Sequence, residues 1–292
     1  KGVAIAYDSR RMSPELADEV ALCLAANGIK AYIFESLRPT PELSFVLRKL
    51  GCVAGINITA SHNLPEYNGY KVYWEDGAQI TSPHDTRIMD QVQKIMDYND
   101  IKTMDREKAK HEGMYQVIGE EMDDAYIEEL KKQVLHIDCI RELGKELKIV
   151  YTPLHGSGNI LVRRVLKELG FENVYIVKEQ ELPDGEFTTV SCTNHEAEET
   201  FTLGLRLAKE VNADIGLGTD PDADRLGIRV KDSSTGEYHT MTGNMSCCLL
   251  ADYEIGQRKD RMGLPEDGVM ISTIVSTNMA GVIARSYGVK FI

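Results

Sequence analysis

The sequence predicts an α/β protein built from successive βαβ units, and three observations carry that prediction. Short apolar runs alternate with capped amphipathic stretches through the first sixty residues, the same plan returns from Ile149 onward, and each unit ends in a polar loop dense in chemically competent side chains. A chain of 292 residues has room for more than one domain and can bury a sizeable core.

Val3 to Tyr7 is the first apolar strand. A helix follows, with Ser13 as its N-cap, Pro14 at its first position and Gly28 as its stop. Strand Ala31 to Phe34 comes next, then a helix opened by Thr40-Pro41 and stopped by Gly51, then strand Val53 to Ala60. Strands joined by helices imply parallel pairing with crossovers, and such sheets gather ligands at the carboxyl ends of their strands. The loop after Ala60 lies there. Lys71 to Trp74 and Ala78 to Thr81 flank Asp76-Gly77, a hairpin signal. Tyr98 to Met122 is polar and connective, after which Ile127, Leu130 and Val134 mark one face of a helix. The second unit runs through strand Ile149 to Thr152, helix Leu161 to Leu169, strand Val174 to Val177, helix Ala197 to Val211 and strand Ile215 to Leu217. A third begins with strand Val269 to Ile274, continues through a helix around Met279 to Tyr287 and reaches Val289 to Ile292. The expected division is 1–125, 126–234 and 235–292, the third domain incomplete. Because both ends fall at strands, the chain is expected to be a piece of a longer protein.

Composition narrows the function classes. With 42% hydrophobic and 27% charged residues the chain reads as a soluble globular protein. A net charge of −13 disfavours nucleic acid and anionic membrane as partners, so any phosphorylated ligand must meet a local basic pocket. No apolar run approaches membrane-spanning length and no leader is read before the first strand. Cys23, Cys52, Cys139, Cys192, Cys247 and Cys248 show no C-x-x-C spacing, which suits free thiols in a reducing, cytoplasmic setting. Asn57-Ile58-Thr59 matches a glycosylation acceptor but falls within an apolar strand.

The second unit ends in Asp220-Pro221-Asp222-Ala223-Asp224-Arg225. Carboxylates are hard oxygen ligands suited to Mg²⁺, and alternate residues of an extended segment face the same way, so Asp220, Asp222 and Asp224 can converge on one ion. A calcium loop also begins D-x-D-x-D, but its required glycine and glutamate are replaced here by Arg225 and Lys231. A solvated acidic turn is the plain alternative. The first unit ends in Thr59-Ala60-Ser61-His62-Asn63, followed by Tyr67-Asn68-Gly69-Tyr70-Lys71. No G-x-S-x-G elbow surrounds Ser61, and a Ser-His neighbour pair rarely has nucleophile–base geometry, which argues against a hydrolase triad. His155 sits in the turn Leu154-His155-Gly156-Ser157-Gly158, read as structural more readily than as a phosphate site. The remaining histidines, His84, His111, His136, His195 and His239, form no ligand-spaced cluster.

Taken together, the serine loop and the aspartate loop resemble those of the phosphohexomutase family, the phosphoglucomutases and phosphomannomutases. The resemblance runs through nearly the whole chain, including Gly2 to Arg10, Pro39-Thr40-Pro41, Tyr151 to Gly156 and Thr242-Gly243-Asn244, and is nearest the larger phosphoglucomutase and phosphopentomutase branch. It implies that Ser61 is the phosphoserine that exchanges phosphate with a sugar and, with Asp220, Asp222 and Asp224, completes an Mg²⁺ site. It further implies Lys71 in proton transfer, His62 in a direct or supporting role, and Arg225, Asn63 and Arg10 at the substrate. The implied reaction moves phosphate between the 1- and 6-positions of a hexose, with glucose 1,6-bisphosphate as phosphate donor. A phosphopentomutase, a sugar-bisphosphate synthase and a non-catalytic phosphosugar-binding module are the alternatives.

The sequence departs from the family pattern at Leu64, where a proline is usual and Pro65 follows instead. It departs again at Phe187-Thr188-Thr189-Val190 and at Thr193-Asn194-His195-Glu196. The family's early arginine segment, its sugar-recognition loop and its C-terminal phosphate-binding domain have no counterpart here. The chain is therefore expected to bind Mg²⁺ but to turn over little.

Overall fold

Strand β1 (Gly2–Tyr7) is buried along its whole length and forms the centre of a five-stranded sheet. The computed structural model describes residues 1–194 and 197–292. From β1 the chain crosses through α1 (Ser13–Ala26) to β2 (Lys30–Phe34), then through α2 (Thr40–Lys49) to β3 (Ala54–Ile58), which pairs with β1 on its other side. Reversing direction at β1 puts the two crossover helices on opposite faces, because parallel crossovers are right-handed. The burial pattern agrees with the period-2 geometry of a strand. Val3, Ile5 and Tyr7 pack with Ala17 and Ala21 of α1, whereas Ala4 and Ala6 pack with Leu43, Val46 and Leu47 of α2.

Strand β4 (Tyr70–Trp74) closes one edge antiparallel to β3, with Lys71 opposite Asn57. Gly77 turns the chain back, but the returning arm forms a single bridge, Gln79 to Tyr73, where a full hairpin was expected. After α3 (His84–Val92) and α4 (Arg106–His111), β5 (Tyr115–Ile118) adds a parallel edge strand beside β2. The sheet order is thus β4-β3-β1-β2-β5. The stretch expected to be connective therefore holds α4, β5 and the start of α5 (Glu120–Lys131). Ile118 and Met122 within it are buried against the α2 side of the sheet, which is what orders it.

The second sheet repeats the plan. After α6 (Ile137–Leu143), β6 (Lys148–Thr152) is the first strand, α7 (Gly158–Leu169) leads to β7 (Asn173–Ile176) on one side of it, and α8 (Thr202–Val211) leads back to β8 (Ile215–Thr219) on the other. Strands β9 (Leu226–Lys231) and β10 (Tyr238–Met241) extend it antiparallel, giving the order β10-β9-β8-β6-β7. Val150, Val177, Ala208 and Ala213 form its buried apolar centre. A long helix, α9 (Gly243–Arg261), then packs on α10 (Met279–Ser286), beside a two-stranded parallel pair, β11 (Val269–Met270) and β12 (Lys290–Phe291). No helix among the described residues is long and apolar enough to cross a membrane.

Four boundaries differ from expectation for local reasons. Ser13 does not cap α1; Met12, in the left-handed region, precedes the helix, and the Ser13 hydroxyl donates to Asp8 Oδ1 at 2.9 Å. Strand β3 stops at Ile58, where Thr59 turns away and donates to Asp8 Oδ2 at 2.6 Å. Helix α8 starts at Thr202, preceded by a 3₁₀ turn over Glu199–Phe201. Strand β11 ends at Met270, and Ile271 to Val275 carry exposed apolar side chains outside any strand.

Candidate functional site

In both sheets the loop that follows the first strand of the unit props the loop that carries the chemistry. After β1 the chain presents Asp8 and Arg10; after β3 it presents Ser61. Arg10 is buried, and its guanidinium donates to four carbonyls of the serine loop: Ser61 at 2.7 Å, Asn63 at 2.6 Å, Leu64 at 2.9 Å and Tyr67 at 2.8 Å. Its Nε stands 3.2 Å from Asp8 Oδ2. Arg10, expected at the edge of the site, holds the serine loop from within. Ser61 itself adopts φ +54°, the left-handed region that costs a non-glycine residue strain and persists only where surroundings enforce it. Here the enforcement comes from Arg10 and from Thr59 Oγ1, which accepts from Ser61 N at 2.9 Å. Gly69 closes the loop at its far end, where a Cβ would stand 2.5 Å from Thr59 O.

The second sheet uses a different prop for the same purpose. After β6, the turn at Leu154 and His155 lies in the left-handed region, and Ser157 donates to Pro221 O from both its N (2.8 Å) and its Oγ (2.9 Å). Gly156 passes so close that a Cβ would lie 2.6 Å from Pro221 Cα. His155 is buried; its Nδ1 donates to Leu182 O and its Nε2 accepts from Thr189 Oγ1, both at 2.8 Å. It anchors the turn and does not face the cleft.

The aspartate loop is a tight turn, not the extended segment that the alternating spacing suggested. Ala223 N bonds Asp220 O at 2.9 Å and Ala223 has φ +51°, so the turn itself brings the three carboxylates together. Their ligand oxygens lie within 4.8 Å of one another. Asp220 and Asp222 are fully buried, and Asp224 is open to solvent. Burial, with Asp222 and Asp224 alongside, pushes Asp220 up to about 8. Asp222 Oδ1 is buried and has no hydrogen-bond partner among the described residues. Three convergent carboxylates, one of them forced toward its neutral form and one with an orphaned oxygen, fit a hard dication that takes oxygen ligands.

The two loops meet across the cleft. Ser61 Oγ donates to Asp220 Oδ2 at 3.1 Å. Lys71, placed on β4 opposite Asn57, extends Nζ to 2.8 Å from Asp222 Oδ2 and 3.6 Å from Asp224 Oδ2. Burial alone would lower the Lys71 pKa, but the two carboxylates outweigh it, and the net displacement is upward. His62 Nδ1 lies 3.3 Å from Ser61 Oγ and its Nε2 lies 3.4 Å from Arg225 Nη1. Because a guanidinium only donates, Nε2 is the acceptor and the neutral ring carries its proton on Nδ1, toward Ser61. Burial and Arg225 depress the His62 pKa, which favours that neutral ring. His62 is therefore not set up as the base of a hydrolase triad. Asn63 is exposed, with its carbonyl taken by Arg10 and Thr193. Arg225, also exposed, lines a cavity of about 490 Å³ together with Asn194, Ile228 and residues at the start of α9.

Several contributors carried no chemical signal in the sequence. Asp8 and Thr59 tie β1 to the serine loop, and Phe187 places its ring 5.2 Å from the Arg10 guanidinium. His195 and Glu196, part of one departure noted above, lie outside the described residues. His136, expected to join no ligand cluster, does stand within 4.8 Å of Asp138 and Cys139. Its Nδ1 accepts from Arg261 at 2.8 Å and its Nε2 donates to Gln257 Oε1 at 2.6 Å, so both ring nitrogens are engaged beside a fixed cation.

Two family models match the chain: phosphoglucomutase/phosphomannomutase α/β/α domain I over residues 1–99 and domain II over residues 124–235. A phosphoglucomutase of Staphylococcus epidermidis is 36% identical over 289 residues, covering 99% of this chain and 51% of its own length. The human glucose 1,6-bisphosphate synthase is 36% identical over 308 residues, covering 100% of this chain and 48% of its own. A crystal structure of a phosphoglucomutase/phosphomannomutase family protein from Burkholderia thailandensis superposes with a TM-score of 0.71 at 23% identity, over 100% of this chain and 57% of that one. The chain thus spans about half the length of the curated relatives it matches.

Proposed function

Since this chain belongs to the phosphoglucomutase/phosphomannomutase family, we propose that its two facing loops form the phosphoryl-transfer half-site of a phosphosugar mutase. The observation that carries the proposal is the convergence of Ser61, Lys71 and Asp220, Asp222 and Asp224 from two separate sheets. Residues 1–125 supply the phosphate carrier, 126–234 the cation loop, and 235–292 a third unit beside them.

In this reading Ser61 Oγ carries a phosphoryl group. In the first transfer the bond from phosphorus to Ser61 Oγ breaks, a bond to a sugar hydroxyl oxygen forms, and the hydroxyl proton is handed on to the departing Ser61 oxygen, so that Lys71 remains the ammonium its carboxylate neighbours favour. In the return transfer the bisphosphorylated sugar gives its other phosphoryl group back to Ser61, whose hydroxyl proton makes good the one that Lys71 gives up. The oxygen left on the sugar takes the proton from Lys71, whose two carboxylate neighbours favour the ammonium needed at that step. His62 donates toward the Ser61 oxygen, and Arg225 supplies a fixed positive charge at the cleft. Asp220, Asp222 and Asp224, with an oxygen on Ser61, are suited to hold Mg²⁺, which when bound neutralises charge on a transferring phosphoryl group. Hexose 1- and 6-phosphates are the substrates and glucose 1,6-bisphosphate the donor.

The test is intact mass and peptide mapping after incubation with Mg²⁺ and glucose 1,6-bisphosphate, beside Ser61→Ala. One phosphate on Ser61 and none on the variant is expected. Phosphate on another residue, or equal labelling of the variant, overturns the assignment of Ser61. No label on either protein overturns the proposal that this half-site suffices for the transfer.

A further inference from the structure

The segment Pro39-Thr40-Pro41 stands out in the sequence, yet none of the chemistry above uses it. Thr40 opens α2, at the carboxyl end of β2 in the first sheet, and reaches across to the aspartate loop of the second. Its hydroxyl stands between two groups. Asn57 Nδ2 lies 2.6 Å from Thr40 Oγ1, and Thr40 Oγ1 lies 2.8 Å from Asp222 Oδ2. An amide NH₂ only donates, so the hydroxyl accepts there and its single proton is committed to the Asp222 carboxylate. The main chain adds a second grip, Thr40 N to Asp222 O at 2.9 Å. Thr40 is 7% exposed and Asn57 and Asp222 are fully buried, so water does not compete for these bonds.

We infer that Thr40 is a positioning residue for the cation loop: it fixes the rotation of the Asp222 carboxylate so that Oδ1 faces a bound divalent cation. The distribution of partners supports this. Oδ2 receives both Thr40 and Lys71, at 2.8 Å each, whereas Oδ1, although buried, receives nothing from the described residues. A carboxylate loaded on one oxygen and bare on the other is oriented for a ligand on the bare side. Groups that orient a metal-binding side chain typically change affinity 10- to 100-fold when removed. The arrangement also ties the two loops together, because Asn57 lies opposite Lys71 on β3 and β4, and Lys71 reaches Asp222 directly while Asn57 reaches it through Thr40.

This inference rests on the cation site proposed above, and the experiment separates the two. Mn²⁺, an oxygen-seeking dication visible by electron paramagnetic resonance, is titrated into the whole chain and into Thr40→Val, Thr40→Ala, Thr40→Ser and Asp220→Asn, with thermal melts to establish that each is folded. Thr40→Val keeps the side-chain shape and removes the hydroxyl; it is expected to weaken Mn²⁺ binding about tenfold or more. Thr40→Ala tests the same loss without branching. Thr40→Ser retains the hydroxyl and is expected to stay within about threefold of the parent chain, a rescue that a purely structural role would not give. If folded Thr40→Val or Thr40→Ala binds Mn²⁺ as the parent does while Asp220→Asn does not, Thr40 has no positioning role. If the parent and Asp220→Asn bind alike, the cation site itself is wrong and the inference falls with it.

Discussion

Ser61 Oγ donates to Asp220 Oδ2 at 3.1 Å, joining two loops 159 residues apart in the chain. That bond places the proposed phosphate carrier against the most strongly perturbed carboxyl of the cation loop. Without a cation, burial and its two acidic neighbours hold Asp220 at about 8, so it is largely protonated at neutral pH. A cation requires the ionised form, and binding therefore displaces a proton. Mg²⁺ affinity is expected to rise about tenfold per pH unit up to pH 8 and then level off. Calorimetry at pH 7 in two buffers of different ionisation enthalpy should find close to one proton released. An affinity that does not change between pH 6 and 8 would contradict the assignment of Asp220 as a ligand.

Arg10 offers the second prediction. Five contacts converge on its guanidinium, four of them carbonyls of the serine loop. Arg10→Ala leaves those acceptors and the buried Asp8 carboxylate without their cation. Breaking a buried pair in this manner costs about 3–5 kcal/mol. Arg10→Lys keeps the charge but has no planar fork, so it is expected to restore only part of the loss. Urea unfolding measures the stability, and proteolysis between residues 61 and 69 reports the loop. Unchanged stability in both variants would remove Arg10 from the role assigned to it.

What was legible in the sequence, and what was not, follows from where each signal is stored. Ser61, Lys71 and the three aspartates announce themselves because their chemistry lies in residue type and short spacing. The doubled βαβ plan is legible because helix stops such as Gly28 and Gly51 punctuate apolar runs. The role of Arg10 is not, since four of its partners lie more than fifty residues away. Thr40 is similar, because its partner Asp222 is 182 residues distant. Strand β5 is only four residues long and two of them are exposed, so its polar surroundings hide it until it pairs with β2. Helix α9 has apolar side chains on several faces, Leu249 and Leu250 among the exposed ones, and so shows no single stripe to read.

Gly156 is the third point of test, since the close approach of its backbone to Pro221 leaves no space for a side chain. Gly156→Ala must move either the turn after β6 or the cation loop. Overpacking of this kind costs about 1–3 kcal/mol. The loss is expected to fall on the cation loop, because Ser157 holds Pro221 by two bonds from the same turn. Mn²⁺ titration of the variant should show weakened binding, and Gly158→Ala, which would crowd Thr219 and Tyr151 beside the same loop, should behave alike. Retained affinity in both variants would mean that the turn does not set the loop.

Glu42 is fully buried near Arg38 and Asp123, and this cluster predicts how stability depends on pH. Burial, with Asp123 next to it, pushes Glu42 up to about 9 despite Arg38 nearby. Arg38 is bound more closely to Asp123, through Nε at 2.8 Å and Nη2 at 2.9 Å, so its charge is spent there and Glu42 keeps its proton. In the unfolded chain that carboxyl ionises near its ordinary value of 4.5. From there up to about 9 the folded protein binds a proton that the unfolded chain has released. The stabilisation present at low pH is therefore lost progressively across this window, by up to about 1.4 kcal/mol per unit. Glu42→Gln removes the titration while keeping the shape. The variant is expected to match the parent near pH 5 and to exceed it by about 2–4 kcal/mol at pH 8, read from urea unfolding at both values. Parallel pH profiles for the two proteins would show instead that Glu42 is ionised in the fold, with Arg38 shared between both carboxylates.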